Sequence, residues 1–232
     1  MSRRSRRQSR LEAPLSFVPP PWPGGSCLEL VHEFNERFVV ETAEVVRQSD
    51  ASTLPEVMRI HRDLWIALDA PACQRASQCP FLLADVHFRD EAWWQRAQRD
   101  ASWQSGPAAS ARLFPRKLAV ELMRDALIVA WYTARQDPRL AAALFAMSEE
   151  VARVVAKLRL RHLRLIPLHH HQQLRPRWDH LSSFWGRLLS AASRDDIEAL
   201  HDLQLHAHQL ANADGGLTAS APDCDPGARG DR

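Results

Sequence analysis

The sequence contains a single tyrosine among its 232 residues, and it has no stretch in which Val, Ile or Thr alternates with polar residues. Such alternation is typical of half-buried β-strands, so its absence argues against a β-sandwich or a β-barrel. Leu, Ala, Arg and Glu are abundant instead, and all four favour helices. We therefore predict an all-α protein.

Cysteine pairs, long apolar runs and catalytic motifs are missing as well. The longest apolar run, Ala126 to Ala134, has about half the length that a membrane-spanning helix needs. The four cysteines form no CxxC pair and follow no secretion signal, which predicts free thiols in a reducing, cytoplasmic environment. No GxSxG motif, GxGxxG motif or P-loop occurs, so we expect a protein that is not an enzyme and needs no cofactor.

Charge is distributed unevenly along the chain, although the net charge is only +2. Residues 1–10 hold five arginines, and residues 151–178 hold seven cations without any Asp or Glu. The seven are Arg153, Lys157, Arg159, Arg161, Arg164, Arg175 and Arg177. A solvated helical surface usually interleaves its signs, so this block favours binding to a polyanion. The alternative is a basic face that pairs with acidic residues elsewhere in the chain or in a dimer.

Composition divides the chain into five segments. Residues 1–25 are rich in Arg and then in Pro, and residues 214–232 have almost no large apolar side chain, so both are predicted to be disordered tails. Two helical halves, 26–100 and 114–213, flank a linker of small residues at 101–113. Helix starts are predicted at capping residues, two of them with a nearby proline: Asp69, Asp90, Asp137, Ser148 and Asp179.

The two helical halves resemble each other. A small apolar pair followed by a capping residue occurs at Ala67-Leu68-Asp69 and, 79 residues later, at Ala146-Met147-Ser148. An aromatic pair occurs at Trp93-Trp94 and, 91 residues later, at Phe184-Trp185. The difference between 91 and 79 predicts an insertion of about twelve residues in the second copy, where the basic stretch lies. We interpret the pattern as a degenerate duplication that folds as one pseudo-symmetric helical bundle.

A helix-turn-helix in the second half is the best candidate for a binding site. A first helix at 138–146 is followed by a turn at Met147-Ser148 and a second helix at 149–158. On the second helix the inward-facing set is Val151, Val154, Val155 and Leu158, and the outward-facing set is Glu150, Arg153 and Lys157. This arrangement suits a recognition helix in a DNA groove. Plain packing of a helical corner is the alternative.

Part of the same region resembles a known family. The residues that carry the resemblance are Gln136-Asp137, Ala141-Ala142-Ala143, Phe145, Ser148-Glu149-Glu150, Val155-Ala156, Leu158, Leu160 and Leu163. They are similar to the C-terminal part of FlhD, the flagellar master transcriptional regulator subunit. The resemblance implies an all-helical, dimeric protein that acts on DNA together with a partner subunit. From it we take only the expectation of a helical regulator.

Histidines and tryptophans supply two further candidate sites. His162 and the run 169–171 lie close together in the sequence, and three more histidines fall in the last helix. Neutral imidazole binds zinc and nickel, but no cysteine pair or HExxH motif accompanies these residues, so we expect a solvated polar turn and no metal site. Trp94 and Trp185 are candidates for a partner-binding surface, with buried anchors of the two halves as the alternative.

Three hypotheses about function follow from these patterns. The first is a transcriptional regulator that acts as a homodimer and contacts duplex DNA through the helix-turn-helix-like segment and the seven cations. The second is a helical adaptor whose basic stretch binds an acidic protein. The third is a helical module that binds a metal ion or a small molecule.

Overall fold

The structure is a computed structural model that describes the backbone of residues 25–103 and 113–216 and the side chains of residues 26–103 and 113–207. The helices of this part of the chain are α1 (Gly25–Gln48), α2 (Glu56–Ile60), α3 (Arg62–Ala67), α4 (Ala70–Ser77), α5 (Glu91–Arg99), α6 (Arg116–Gln136), α7 (Pro138–Phe145), α8 (Glu149–Ala156), α9 (Leu160–His170), α10 (Ser182–Arg194) and α11 (Ile197–Gly216). Two short strands, β1 (Ala84–Asp85) and β2 (Arg175–Pro176), pair in antiparallel fashion. The all-α prediction is confirmed. The predicted tails, apart from a few residues at their inner ends, and most of the linker lie outside the described residues.

Side-chain caps begin four of the helices at the residues that the sequence predicts. The side chains of Asp69, Asp90, Asp137 and Ser148 each accept a hydrogen bond from a backbone N–H in the first turn of the helix that follows. The fifth prediction is wrong, because α10 begins at Ser182 and not at Asp179. Trp178 adopts a left-handed backbone conformation (φ 52°). Residues 178–181 therefore form a turn, in which the N–H of Leu181 donates to the carbonyl of Trp178 at 2.8 Å, and the helix begins only after this turn.

The helix boundaries confirm the duplication. Helices α5 and α10 begin at residues 91 and 182, which are 91 residues apart. Helices α4 and α8 span 70–77 and 149–156, which are 79 residues apart. The strands pair Ala84 with Pro176 and Asp85 with Arg175, the register expected if a pseudo-twofold axis that relates residues 91 apart passes between them.

Helix α9 accounts for the extra length of the connection between α8 and α10. Between α4 and α5 the first half has residues 78–90, whereas between α8 and α10 the second half has residues 157–181. Helix α9 lies in the longer of these two connections and has no counterpart in the first half. The predicted insertion is therefore a helix, and it carries part of the basic stretch.

The two halves exchange helices instead of forming separate cores. Helix α10 of the second half packs against α3 and α4 of the first, while α5 of the first half packs against α8 and α9 of the second. The rings of Trp65 and Trp185 lie 5.5 Å apart, as do those of Phe88 and Phe145, and each pair joins the two halves. One hydrophobic cluster results, with members from both halves. The boundary at 101–113 therefore divides the sequence but not the core.

None of the helices in the described ranges is long and apolar enough to cross a lipid bilayer.

Candidate nucleic-acid interface

Helices α7 and α8 form the predicted helix-turn-helix-like pair. Ala146, between them, adopts a left-handed conformation (φ 49°), which is the conformation that a glycine commonly supplies at a helix C-terminus. Val151 and Val155 are buried, as the spacing predicts. Helix α8 ends at Ala156, two residues earlier than predicted, and Leu158 is buried just beyond it.

The outer face of α8 carries charges that compensate one another. The guanidinium of Arg153 lies 2.6 Å from the carboxylate of Glu149 and 3.3 Å from that of Glu150. Arg139 of α7 lies 3.7 Å from the Glu149 carboxylate. Two acids therefore face two arginines, and α8 presents little net charge to a phosphate backbone. Helix α5 also packs against α8, which leaves α8 less free to enter a groove than a recognition helix needs.

Two further cations of the acid-free stretch are also unavailable. Arg175 is paired with Asp85 of the first half at 2.9 Å. Arg177 is only 4% exposed, and its Nη2 donates to the carbonyl of Phe145 at 2.7 Å. The prediction that Arg177 contacts nucleic acid is therefore wrong for this conformation, because the chain folds the side chain into the seam between the halves. The stretch lacks acids in sequence, but the fold supplies them from elsewhere.

The remaining four cations form the candidate interface. Lys157, Arg159, Arg161 and Arg164 are all exposed, and within residues 26–103 and 113–207 none of them forms a salt bridge. We call this set the α9 basic surface. It places four positive charges within eight residues, without the intramolecular neutralisation found at Arg153 and Arg175.

Local packing fixes the start of α9. Lys157 caps the C-terminus of α8 and Arg159 caps the N-terminus of α9. The connection between the two helices is held by Trp131 of α6, whose indole N–H donates to the carbonyl of Leu158 at 2.9 Å. On α9 itself, Leu163 and Ile166 are buried, so that α9 presents its arginines to solvent at helical spacing.

His162 links the α9 basic surface to α5. Its Nδ1 accepts the backbone N–H of Arg159 at 2.8 Å, and the ring also has a hydrogen bond to the backbone of Gln98. Burial lowers the pKa of His162, and the charges of Arg161 and Arg159 lower it further. The ring therefore stays neutral at physiological pH and serves as a hydrogen-bonding link, not as a further cation.

The exchange of helices brings one residue to this surface that the sequence did not single out. Arg99, in the last turn of α5, lines a cleft of about 200 Å³ together with Arg161 and Ser102. The spacing of hydrophobic residues could not predict this contact, because Arg99 and Arg161 belong to different halves of the sequence. The positive charge therefore extends from α9 onto the end of α5, next to the acid Asp100 of the same cleft.

The partner-binding prediction for two tryptophans is wrong, because both are fully buried. Trp94 and Trp185 each have 0% exposure. Their indole N–H groups donate to the carbonyls of His87 and Arg177 at 2.9 and 2.8 Å. They are buried anchors of α5 and α10, which is the alternative that the sequence left open, and the ring of Trp185 also lies 5.5 Å from that of Trp65 in the first half.

The histidines are dispersed in the fold. His169 is exposed, whereas His170 and His171 are buried. His170 lies 5.3 Å from the ring of Trp93 and 5.2 Å from that of Trp103. Among the described side chains there is no group of three or more His, Cys, Asp or Glu that could hold a metal ion.

Comparison with protein-family models, with curated proteins and with solved structures gives no match to this chain. The resemblance of residues 136–163 to FlhD therefore stays a prediction.

Proposed function

We propose that this protein is a DNA-associated regulator that holds duplex DNA through the α9 basic surface. The observation that carries the proposal is the exposure of Lys157, Arg159, Arg161 and Arg164 without an acidic partner in the described part of the chain. Phosphate contacts supply most of the affinity of non-specific DNA binding. Four cations on one short segment suit a ligand whose charges repeat along a line.

The duplication supports a specialised role for this surface. Helices α8 and α10 of the second half have counterparts in α4 and α5 of the first half, whereas α9 lies in the connection that is longer in the second half. Its arginines are not needed for the bundle, because their side chains are exposed. They are therefore better explained by an external ligand than by folding.

The expected mode of binding is contact with the phosphate backbone, not base reading by α8. The outward charges of α8 are paired with one another, and a paired arginine is a poor reader of base edges. Each chain offers one α9, so the two equivalent half-sites of a palindromic operator would require two chains. This is consistent with the expectation of a homodimer, which light scattering of the purified protein tests directly.

The decisive experiment compares two double variants on a fluorescent duplex. Arg161→Gln/Arg164→Gln removes two unpaired cations, and Arg153→Gln/Arg175→Gln removes two cations that are paired within the chain. The formal charge changes equally in both. We expect the first variant to bind roughly tenfold more weakly than the wild type and the second to bind within about twofold of it. Equal weakening by the two variants would contradict the proposal.

A second candidate, an adaptor for an acidic protein, is favoured by the leucines of α9. Leu160 is 70% exposed and Leu168 is 42% exposed. An apolar side chain makes no favourable contact with a phosphate backbone, so DNA binding does not explain either leucine. An acidic partner with apolar residues at its centre would use the arginines and the leucines together. Leu160→Gln separates the two functions: it should leave DNA affinity unchanged but weaken an interaction with a protein that survives nuclease treatment.

A further inference from the structure

A cleft of about 400 Å³ lies at the seam between the two halves, away from α9. We call it the seam cleft. One wall is the turn before α5, with Asp85, His87 and Asp90, and the other is the turn before α10, with Trp178 and Asp179. These two turns correspond under the 91-residue duplication, since His87 and Trp178 both adopt positive φ (49° and 52°). The cleft is thus framed by equivalent elements of the fold.

Arg177 lines this cleft and is almost completely buried. Nη2 donates to the carbonyl of Phe145, and the guanidinium lies over the ring of Trp178 at 5.7 Å. Nε and Nη1 are buried without a hydrogen-bond partner among the described residues. Leaving buried donors of a charged group unpaired is costly, and acceptor atoms of a ligand would relieve that cost.

The fold itself does not require a cation at this position. The equivalent residue 91 positions earlier is Val86, which is completely buried. The first half therefore builds the same turn with an apolar side chain. Arg177 replaces a core residue by a desolvated charge, a substitution that weakens the bundle and calls for a compensating role.

Charge is unevenly arranged within the seam cleft. Arg89, Arg175 and Arg177 all line it, and Asp85, which lines it too, is engaged by Arg175 and by the backbone N–H of Phe88. The other three acids of the lining do not pair with Arg177. Asp90 caps α5, Asp179 lies 3.7 Å from His180, and Glu91 is exposed. The lining therefore holds three arginines and four acids, and Asp85, whose charge acts on Arg177, is already paired with Arg175.

We propose that the seam cleft binds a small molecule through a single carboxylate group, which the guanidinium of Arg177 receives. The planar fork of a guanidinium matches a carboxylate with two parallel hydrogen bonds. A dianionic phosphate fits less well, because Asp90, Glu91 and Asp179 also line the cleft and would repel the second charge. The volume of the cleft is within the range of small-ligand sites.

The protonation state of Arg177 is consistent with this role. Burial lowers the pKa of Arg177 to about 10, while Asp85 opposes this shift. At neutral pH the guanidinium is still charged, so it remains available to an anion. This keeps the proposed recognition electrostatic across the physiological range.

The test is a titration of isotope-labelled full-length protein with sodium propionate, followed by backbone amide shifts in NMR. Sodium chloride at matched ionic strength is the salt control, and sodium phosphate tests the ligand class. We expect saturable shifts for residues around Phe145, Ala146 and Trp178 with propionate, and at least tenfold weaker binding of phosphate. The absence of saturable shifts with propionate, or tighter binding of phosphate, would overturn the proposal.

Variants test the role of the arginine. Arg177→Val copies the residue of the first half and should preserve the fold while it weakens propionate binding at least tenfold. Arg177→Lys keeps the positive charge but lacks the planar guanidinium, so it should weaken propionate binding less than Arg177→Val does. Arg194→Gln, on the exposed end of α10, is the matched control and should bind as the wild type does. Unchanged binding by a folded Arg177→Val protein refutes the assignment, and if the valine variant fails to fold, unchanged binding by Arg177→Lys refutes it instead.

Discussion

Asp85 and Arg175 face each other across the strand pair that joins the two halves, with the carboxylate 2.9 Å from the guanidinium. The pair shows that a stretch without acids in the sequence can be neutralised by acids from a distant part of the chain. Arg175 belongs to a stretch without acids, yet its partner lies 90 residues earlier in the chain. Four of the seven cations in that stretch remain exposed and unpaired in the described structure, and they are the basis of the proposed DNA contact.

Breaking the Asp85–Arg175 pair should have a small effect on stability. The Arg175 side chain is 46% exposed, and partly exposed pairs contribute less than about 1 kcal/mol. We expect Asp85→Asn to lower the free energy of unfolding by about that amount or less in urea denaturation. The Asp85→Asn/Arg175→Gln double variant completes the cycle. A coupling energy of several kcal/mol would show that the strand pair is held mainly by this contact.

Gly186 is required by the close approach of α10 to the first half. A Cβ atom at this position would lie 2.6 Å from Cε1 of His61, and that ring is held in place by the carbonyl of Ser182 at 2.6 Å from its Nε2. We expect Gly186→Ala to lower the free energy of unfolding by about 1–3 kcal/mol, the usual cost of overpacking.

The equivalent residue of the first half supplies the control for Gly186. Gln95 lies 91 positions earlier and is exposed on α5, so Gln95→Ala should change stability by less than about 0.5 kcal/mol. Adding His61→Ala to Gly186→Ala should recover part of the loss. If the alanine at 186 is tolerated without any loss, the described contact between α10 and His61 is incorrect.

Stability should fall in mildly acidic solution because His170 is buried in its neutral form. Burial lowers the pKa of His170 to about 4, below the usual value of 6.5. The unfolded chain therefore binds a proton at higher pH than the folded chain does, and the stabilisation present above pH 6.5 is lost as the pH falls toward 4. The shift corresponds to at most about 3 kcal/mol.

Urea denaturation at several pH values measures this effect. His170→Asn should flatten the decrease of stability between pH 6.5 and pH 4, although its stability at pH 7 will itself be lower. His206→Asn, at an exposed position, should leave the decrease as it is in the wild type. An unchanged pH profile in the His170 variant would assign the acid sensitivity to other groups, such as His162, whose pKa burial also lowers.

The exchange of helices predicts that neither half folds alone. Trp93 of α5 lies against His170 of the second half and Trp185 of α10 lies against Trp65 of the first, so a chain cut within residues 104–112 should yield two fragments that stay associated. Size-exclusion chromatography and circular dichroism of the separate and mixed fragments measure this. Cooperative unfolding of either fragment on its own would indicate that the halves are independent domains.

Local chemistry could be predicted from the sequence better than partners could. Asp69 and Ser148 mark helix starts because a capping side chain acts on its own first turn, and the spacings of 91 and 79 reveal the duplication. Hydrophobic spacing shows that Trp94 and Trp185 lie on helices but not which helix covers them. Burial of Arg177 was missed because arginine is usually exposed. The one available signal was the valine at the equivalent position.

The most direct test of the proposed function is the salt dependence of DNA binding by the full-length protein. Each phosphate contact contributes about 0.9 to the slope of log affinity against log salt concentration. Between about 50 and 200 mM salt, we predict that Arg161→Gln/Arg164→Gln makes the slope shallower than that of the wild type by about 1.8, while Arg153→Gln/Arg175→Gln leaves it unchanged. A slope that is the same for all three proteins, or no binding at low salt, would contradict a DNA contact through the α9 basic surface.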